Sequence, residues 1–134
     1  MAWSFTSRAP VYMQIVSRIR ADILGGVYQP DQQIPAVRQL ALTAGVNPST
    51  MQRAFAVLEA EQLFITRGTI GRFITTDTEV LARAREVMRR ETVARLIEEA
   101  AAVGISPAEL IESIRAYESE NAAEKDEASK ETDT

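Results

Sequence analysis

The short stretch from Asn47 to Arg53 carries the side chains of this chain best suited to hydrogen-bond chemistry. Asn47 is a favourable helix cap, and Pro48 suits the first helical position because the amide it lacks needs no partner there. The spacing therefore predicts a helix that begins here. At about 100° per residue, Ser49, Thr50 and Arg53 fall opposite its apolar side. Such a face can donate hydrogen bonds to phosphate oxygens and to the edges of DNA bases.

The residues on either side predict how this helix is held. Upstream, residues 35–44 have apolar side chains at helical spacing, and Gly45 then supplies a tight turn. Downstream, residues 63–67 and 72–75 are β-prone runs on either side of a glycine-containing loop. The pattern indicates a helix-turn-helix followed by a β-hairpin, the wing.

A further helix is predicted before the helix-turn-helix. An apolar residue recurs every fourth position from Val11 to Ile23, so a helix ending near Leu24 can lay one apolar edge on the motif helices. The preceding residues show no period. Their Trp3 and Phe5 fit either a strap over the domain or a contact with a partner, and the sequence leaves both open.

Taken together, these motifs are similar to the winged helix-turn-helix of GntR-family bacterial transcription regulators. The resemblance covers residues 10–75, in the segments "PVYMQIVSRIRADILGG", "PAVRQLA", "GVNPSTMQRAF" and "RGTIGRFI". The short remainder is similar to the YtrA branch, whose C-terminal part is only a pair of helices. Two positions depart from the family pattern. Ala36 replaces the usual serine and Asp31 the usual glycine, so a helix cap and a turn must be made differently here.

The resemblance implies a DNA-binding surface on the motif helices and the wing. Arg38 and Arg53 would make the main contacts, and Gly71 would approach the minor groove closely because it has no side chain. Independently, an arginine can donate two parallel hydrogen bonds to guanine, worth about 1–3 kcal/mol of discrimination. A solvated arginine and a turn-forming glycine are the alternative interpretations. The residues expected to bind DNA are Arg38, Asn47, Ser49, Thr50, Arg53, Arg67, Gly71 and Arg72.

Composition excludes many kinds of chemistry. The 134 residues include no cysteine and no histidine, which removes thiol nucleophiles, disulfides, zinc fingers and histidine bases. The adjacent carboxylates Glu98 and Glu99 point apart on a helix. We therefore expect no enzyme activity, no catalytic or metal site and no cofactor. No apolar run approaches the roughly 18 residues of a membrane span, and no signal pattern opens the chain, so we expect a cytoplasmic protein without a membrane partner.

Charge is divided unevenly along the chain. The net charge is −4, but residues 1–76 hold seven arginines and only four carboxylates. Residues 77–134 hold eight basic and fifteen acidic groups. Because attraction to phosphate depends on the local field, the basic first part is compatible with DNA binding.

Two helices and a dimer are predicted after Thr76. A long helix should run from about Glu79 to Val103, with an apolar stripe that changes sides across residues 89–91. The first half of this long helix would pack on the winged domain. A second helix should begin at the capping box that starts with Ser106. Since two helices bury too little surface alone, we expect a homodimer, with an intramolecular hairpin as the alternative. The expected dimerisation residues are Val93, Leu96, Ile97, Ala100, Leu110, Ile111, Ile114 and Tyr117.

The predicted fold is mainly α with a small β wing. It comprises a winged helix-turn-helix over residues 9–77, a two-helix dimerisation segment over 78–118 and a disordered acidic tail over 119–134, where large apolar residues are absent. No enclosed effector cavity is expected. A small-molecule effector would have to bind between subunits or between the winged domain and the long helix.

The expected function is sequence-specific transcriptional regulation by a homodimer that binds double-stranded DNA, acting as a repressor at an inverted-repeat operator. Resemblance to the YtrA branch implies control of a nearby operon, often one for an ATP-driven transporter. The alternative is a winged-helix protein-interaction module that does not bind DNA. The salt dependence of binding separates the two functions. DNA binding weakens steeply as the salt concentration rises, because the release of counterions from DNA then becomes less favourable.

Overall fold

The computed structural model describes residues 2–132 and is mainly α with one two-stranded antiparallel sheet, which confirms the predicted fold class. The chain divides into two compact units, one ending at Glu86 and the other beginning at Val87. Within the described residues, no helix is both long and apolar enough to cross a membrane. The elements are α1 (Val11–Leu24), α2 (Val37–Ala44), α3 (Pro48–Ala60), β1 (Phe64–Arg67), β2 (Gly71–Ile74), α4 (Thr78–Ala102) and α5 (Pro107–Thr132).

Three helices build the core of the first unit. The apolar edge of α1 is buried at Ile15 and Ile19, and the buried side of α3 contributes Met51 and Phe55 to the same core. The Phe55 ring meets that of Phe64 edge-on, with centroids 5.1 Å apart. Burying a side chain of this size stabilises the fold by about 1.5–3 kcal/mol, so these contacts fix the orientation of α3.

The two departures from the family pattern have visible structural consequences. Ala36 is the N-cap of α2 and makes no side-chain capping bond, as its methyl group requires. Asp31 adopts φ +70°, a left-handed conformation that glycine tolerates best and that aspartate can also adopt. The turn that glycine usually makes is therefore made here by a residue with a charged side chain.

The wing is held from both sides of β2. One side pairs with β1, from Phe64 opposite Ile74 to Arg67 opposite Gly71. On the other side, the Asp31 amide donates to the Ile74 carbonyl at 2.9 Å. The predicted hairpin is present, with its second strand one residue earlier than expected.

The N-terminal residues form a strap over the first unit. The Trp3 amide donates to the Ala44 carbonyl at 3.1 Å, and Trp3 and Phe5 pack half-buried against the core. The Arg18 guanidinium carbon lies 4.1 Å from the centroid of the Trp3 ring. Of the two interpretations that the sequence left open, the strap is the one observed.

Helix α4 begins in the first unit. Asp77 Oδ1 accepts the Glu79 amide at 3.0 Å and caps the helix. Val80 is buried, and Leu81 and Ala84 pack against the core. The first turns of this helix therefore pack on the winged domain as predicted, whereas Val87, in the same predicted half, is exposed.

The second unit leaves its large apolar side chains exposed within the single chain. Ala100 is buried and Leu110 half-buried, whereas Leu96 is 42% exposed and Ile114 is 45% exposed. Such a row of apolar groups is unusual on a surface that faces only water. Exposed members of the expected dimerisation set are Val93, Leu96, Ile97, Ile111, Ile114 and Tyr117.

The prediction of a disordered tail from residue 119 is wrong as far as the structure describes it. Helix α5 continues through Thr132, and residues 133–134 lie outside the described residues. The physical reason is local: alanine, glutamate and lysine have high helix propensity, and a lack of large apolar residues prevents packing but not helix formation. From residue 119 to residue 130, the tail is an extension of α5 in which every side chain but that of Asn121 is exposed.

Candidate nucleic-acid interface

Helix α3 has one buried and one exposed face. Met51, Phe55 and Leu58 point into the core, while Ser49 and Arg53 are exposed on the opposite side. This division matches the rotation predicted from the sequence. The exposed face carries hydrogen-bond donors and acceptors on a rigid element, as direct reading of a DNA groove requires.

Asn47 and Ser49 form the cap of this helix. Asn47 Oδ1 accepts hydrogen bonds from the Ser49 amide and from Ser49 Oγ, both at 2.9 Å. The cap satisfies one of the amides that a helix start leaves unpaired. These two residues therefore set where α3 begins, and the helix N-terminus that they shape is itself favourable for phosphate.

Arg53 lies beside an aromatic ring from another helix. Its guanidinium carbon is 4.0 Å from the centroid of the Tyr12 ring on α1. A shallow open cleft joins this contact to the start of α3. Its lining residues are Val11, Tyr12, Ser49, Thr50 and Arg53.

Arg38 is the second residue of α2 and is exposed. Within residues 2–132, neither Arg38 nor Arg53 is in an ion pair with a carboxylate. Both motif helices thus carry an arginine whose charge is not neutralised by a neighbour, and each can contribute fully to phosphate attraction or base recognition.

The wing arginines are placed differently. Arg67 pairs with Asp31 and lies 4.2 Å from the centroid of the Phe73 ring. Arg72 pairs with Glu59 of α3, with its guanidinium carbon 5.3 Å from the centroid of the Phe55 ring. Both arginines are therefore engaged inside the unit, Arg72 more deeply than Arg67.

Gly71 occupies a position that needs glycine for a local reason. Its φ is +136°, and an added Cβ would lie 2.8 Å from Nε2 of Gln33. Gln33 Nε2 also donates to the Ile70 carbonyl at 2.9 Å. The missing side chain thus admits the Gln33 amide, in addition to any role at a DNA groove.

The ion pairs account for how the positive charge is distributed. Three of the four carboxylates in the first 76 residues pair with arginines: Asp31, Glu59 and Glu61, the last with Arg20. The excess positive charge of this region consequently falls on the arginines outside these pairs, including Arg38 and Arg53.

Three residues that the structure brings to this surface were not predicted. Tyr12 was assigned only to the amphipathic α1, although its place beside Val11 at the helix start left it off the buried edge. Gln52 is exposed on α3 next to Arg53, and helical spacing could have identified it. Gln33 carries no sequence signal, because its partner Ile70 is 37 residues away.

Other kinds of site have little support. No group of three or more potential metal ligands occurs among the described residues. The cleft beside Arg53 is open and shallow, and its lining residues are suited to nucleic acid rather than to a reacting centre. The geometry is that of a surface for binding an extended, negatively charged partner.

Comparison with known proteins agrees with this geometry. The family model "Bacterial regulatory proteins, gntR family" matches residues 11–74. The HTH-type transcriptional repressor YtrA of Bacillus subtilis is 30% identical over 110 residues, which cover 81% of this chain and 85% of that protein.

Solved structures of related proteins have the same fold as this chain. A GntR family transcriptional regulator from Listeria monocytogenes superposes with a TM-score of 0.73 at 29% identity, covering 84% of this chain and 98% of its own. The DNA-binding domain of AraR, solved in complex with its operator ORX1, has a TM-score of 0.51 at 26% identity and covers 56% of this chain and 99% of its own.

Proposed function

Because the chain belongs to the GntR family of bacterial regulatory proteins, in its YtrA-like branch, we propose that it represses transcription by binding an inverted-repeat operator as a homodimer. One observation carries the DNA-binding part of this proposal. Arg38 and Arg53 lie exposed on the two motif helices, and no carboxylate among residues 2–132 neutralises either of them.

The expected DNA contacts divide by mechanism. Arg53 has the position of a base-reading residue, whereas Arg38 and Thr50 are suited to phosphate. Asn47 and Ser49 act through the start of α3 and its amides. In the wing, Gly71 allows close approach to the minor groove. Arg67 and Arg72 lie beside it and can offer N–H donors to phosphate, although their charges are offset by carboxylates while the ion pairs persist.

The homodimer is supported by the exposed apolar groups of the second unit. Val93, Leu96 and Ile97 on α4, with Ile111 and Ile114 on α5, are each 39–50% exposed in the single chain. Covering them with the same residues of a second copy removes apolar surface from water at about 25 cal/mol per Å². A two-fold dimer also presents two α3 helices, which matches an inverted repeat.

The biological setting follows from the branch. YtrA of Bacillus subtilis is named as a repressor, and we propose the same sign of regulation here, in the cytoplasm and at an operon that encodes a transporter.

An effector, if one acts, would bind at the subunit interface and change the separation of the two α3 helices through its differential affinity for the two arrangements. The alternative, a winged-helix module that binds only protein, gives no use to the unneutralised arginines.

Selection from a random DNA pool tests the proposal. The wild-type protein should enrich an inverted repeat, and binding to the selected duplex should weaken steeply with salt. Arg53→Ala should lose about 1–3 kcal/mol per half-site and relax one base position. Equal weakening on all sequences would instead make Arg53 a phosphate contact.

Arg20→Ala is the matched control. It removes the same charge from the same unit, but Arg20 pairs with Glu61 and lies outside the cleft beside Arg53. It should leave base preference unchanged. If the wild-type protein enriches no sequence at low salt, the DNA-binding proposal is wrong and the protein-interaction alternative is favoured.

A further inference from the structure

We infer that Tyr12 of α1 positions the Arg53 guanidinium for base recognition and so helps to set DNA sequence specificity. The inference rests on the proposed function, because it takes Arg53 to read a base. It assigns a specificity role to a residue outside both helices of the helix-turn-helix.

The contact is close and one of its partners is anchored. The Arg53 guanidinium carbon is 4.0 Å from the Tyr12 ring centroid, well within the roughly 6 Å reach of a cation–π interaction. Tyr12 is half-buried and packs against the core, while Arg53 is exposed. The ring therefore restrains the arginine, since the tyrosine is held by its own packing.

The restraint leaves the donors of Arg53 available. No hydrogen bond or ion pair of Arg53 is formed with another residue of the described part of the chain. A cation–π contact engages the ring face, whereas recognition of guanine uses the N–H groups at the guanidinium edge. Tyr12 can thus limit the rotamers of a long side chain, which lowers the ordering cost of binding, without competing for its hydrogen bonds.

The other arginine–aromatic contacts of this unit serve as comparisons. Arg67 and Arg72 also lie over rings, but each is paired with a carboxylate. Arg18 lies 4.1 Å from the Trp3 ring centroid, on α1 and away from the cleft beside α3. The contact of Arg53 with Tyr12 is the one that joins an aromatic ring to an unpaired arginine on the exposed face of α3.

Two substitutions separate the ring from its hydroxyl. Tyr12→Phe keeps the ring, and Tyr12→Leu removes it while retaining an apolar side chain. Affinities would be measured by fluorescence anisotropy, with the full chain, on the duplex that the wild type selects and on a scrambled duplex. Tyr12→Leu should weaken binding to the selected duplex about two- to fivefold per half-site, without effect on the scrambled one. Tyr12→Phe should bind as the wild type does.

A double-mutant comparison tests whether Tyr12 acts through Arg53. In the Arg53→Ala background, Tyr12→Leu should cause no further loss, because the side chain that it positions is gone. Trp3→Leu, which removes the comparable contact with Arg18, should leave base preference unchanged. Thermal unfolding of each variant checks that the first unit remains folded.

Several results would overturn the inference. Equal loss in Tyr12→Phe would assign the effect to a hydroxyl contact, and tighter binding by Tyr12→Leu would show that the ring competes with the base. A loss that persists without Arg53 would make Tyr12 an independent contact. If the wild type selects an operator and Tyr12→Leu binds it unchanged, this inference alone fails. If the wild type selects nothing, the proposed function fails with it.

Discussion

Arg72 provides the sharpest test of which arginines support the fold and which support DNA binding. We predict that Arg72→Ala destabilises the first unit and that Arg38→Ala does not. Arg72 and Glu59 have side chains 26% and 33% exposed, so solvent screens their ion pair and its contribution is about 0.5–1 kcal/mol. The Phe55 ring, 5.3 Å from the guanidinium carbon, adds about 0.5 kcal/mol.

Together these contacts predict that Arg72→Ala lowers the free energy of unfolding by about 1–1.5 kcal/mol. For a unit of this size, each kcal/mol shifts Tm by about 4–8 °C. Thermal and urea unfolding would measure the loss, and a double-mutant cycle with Glu59→Ala should return about 0.5–1 kcal/mol of coupling. Arg38, exposed and without a carboxylate partner among residues 2–132, should change stability by less than about 0.5 kcal/mol on substitution by alanine.

DNA affinity should show the reverse order. Arg38→Ala should bind the selected duplex more weakly with a shallower salt dependence, whereas Arg72→Ala should lose less affinity once it is compared below its own Tm. The reasoning is refuted if Arg72→Ala unfolds at the wild-type temperature and binds DNA as poorly as Arg38→Ala does. Arg72 would then be released from Glu59 in solution and act at the DNA surface.

Three further predictions concern the dimer, the wing and pH. Ile114→Asp should convert the proposed dimer to a folded monomer in sedimentation, because an unpaired charge in an apolar interface costs several kcal/mol. The control Ser113→Asp places the same charge on a neighbouring exposed position and should leave the dimer intact. If Ile114→Asp also remains a dimer, the interface lies elsewhere. Gly71→Ala should lower stability by about 1–3 kcal/mol, since φ +136° strains any other residue, and an unaltered Tm would contradict this. Burial, followed by the nearby Asp22 carboxylate, raises the pKa of Tyr28 above its usual value, so the folded state holds this proton longer than the unfolded state does. Stability should therefore fall as pH rises from about 10, and Tyr28→Phe should reduce that fall in urea titrations; an equal fall in both proteins would argue against the shift.

Much of the fold was predictable because it is encoded locally. Helix α1 runs from Val11 to Leu24 as expected, since an apolar residue every fourth position defines its buried edge and Gly25 follows its end. The start of α3 was equally clear from Asn47, whose side chain caps the helix. Periodicity, caps and turns concern neighbours in sequence, and these are the features that a sequence shows directly.

The rest depended on contacts between distant residues or on a misjudged balance of forces. The partner of Arg67 is Asp31, 36 residues away, and no local pattern indicates that the two meet. The same holds for the ring of Tyr12 beneath Arg53. The lack of large apolar groups after residue 119 predicted disorder, whereas helix α5 continues through Thr132 because helix propensity does not depend on such groups.

The strap that carries Trp3 also gives this protein a built-in optical probe. Trp3 is the only tryptophan in the sequence, and it packs half-buried in the first unit beside Arg18. Tryptophan fluorescence, excited at a wavelength that tyrosine does not absorb, should therefore report on that unit alone, whereas far-ultraviolet circular dichroism follows the helices of both. Denaturation curves from the two signals will coincide only if the units unfold together, so a single unlabelled sample can reveal whether the second unit loses its helices before the first unit unfolds.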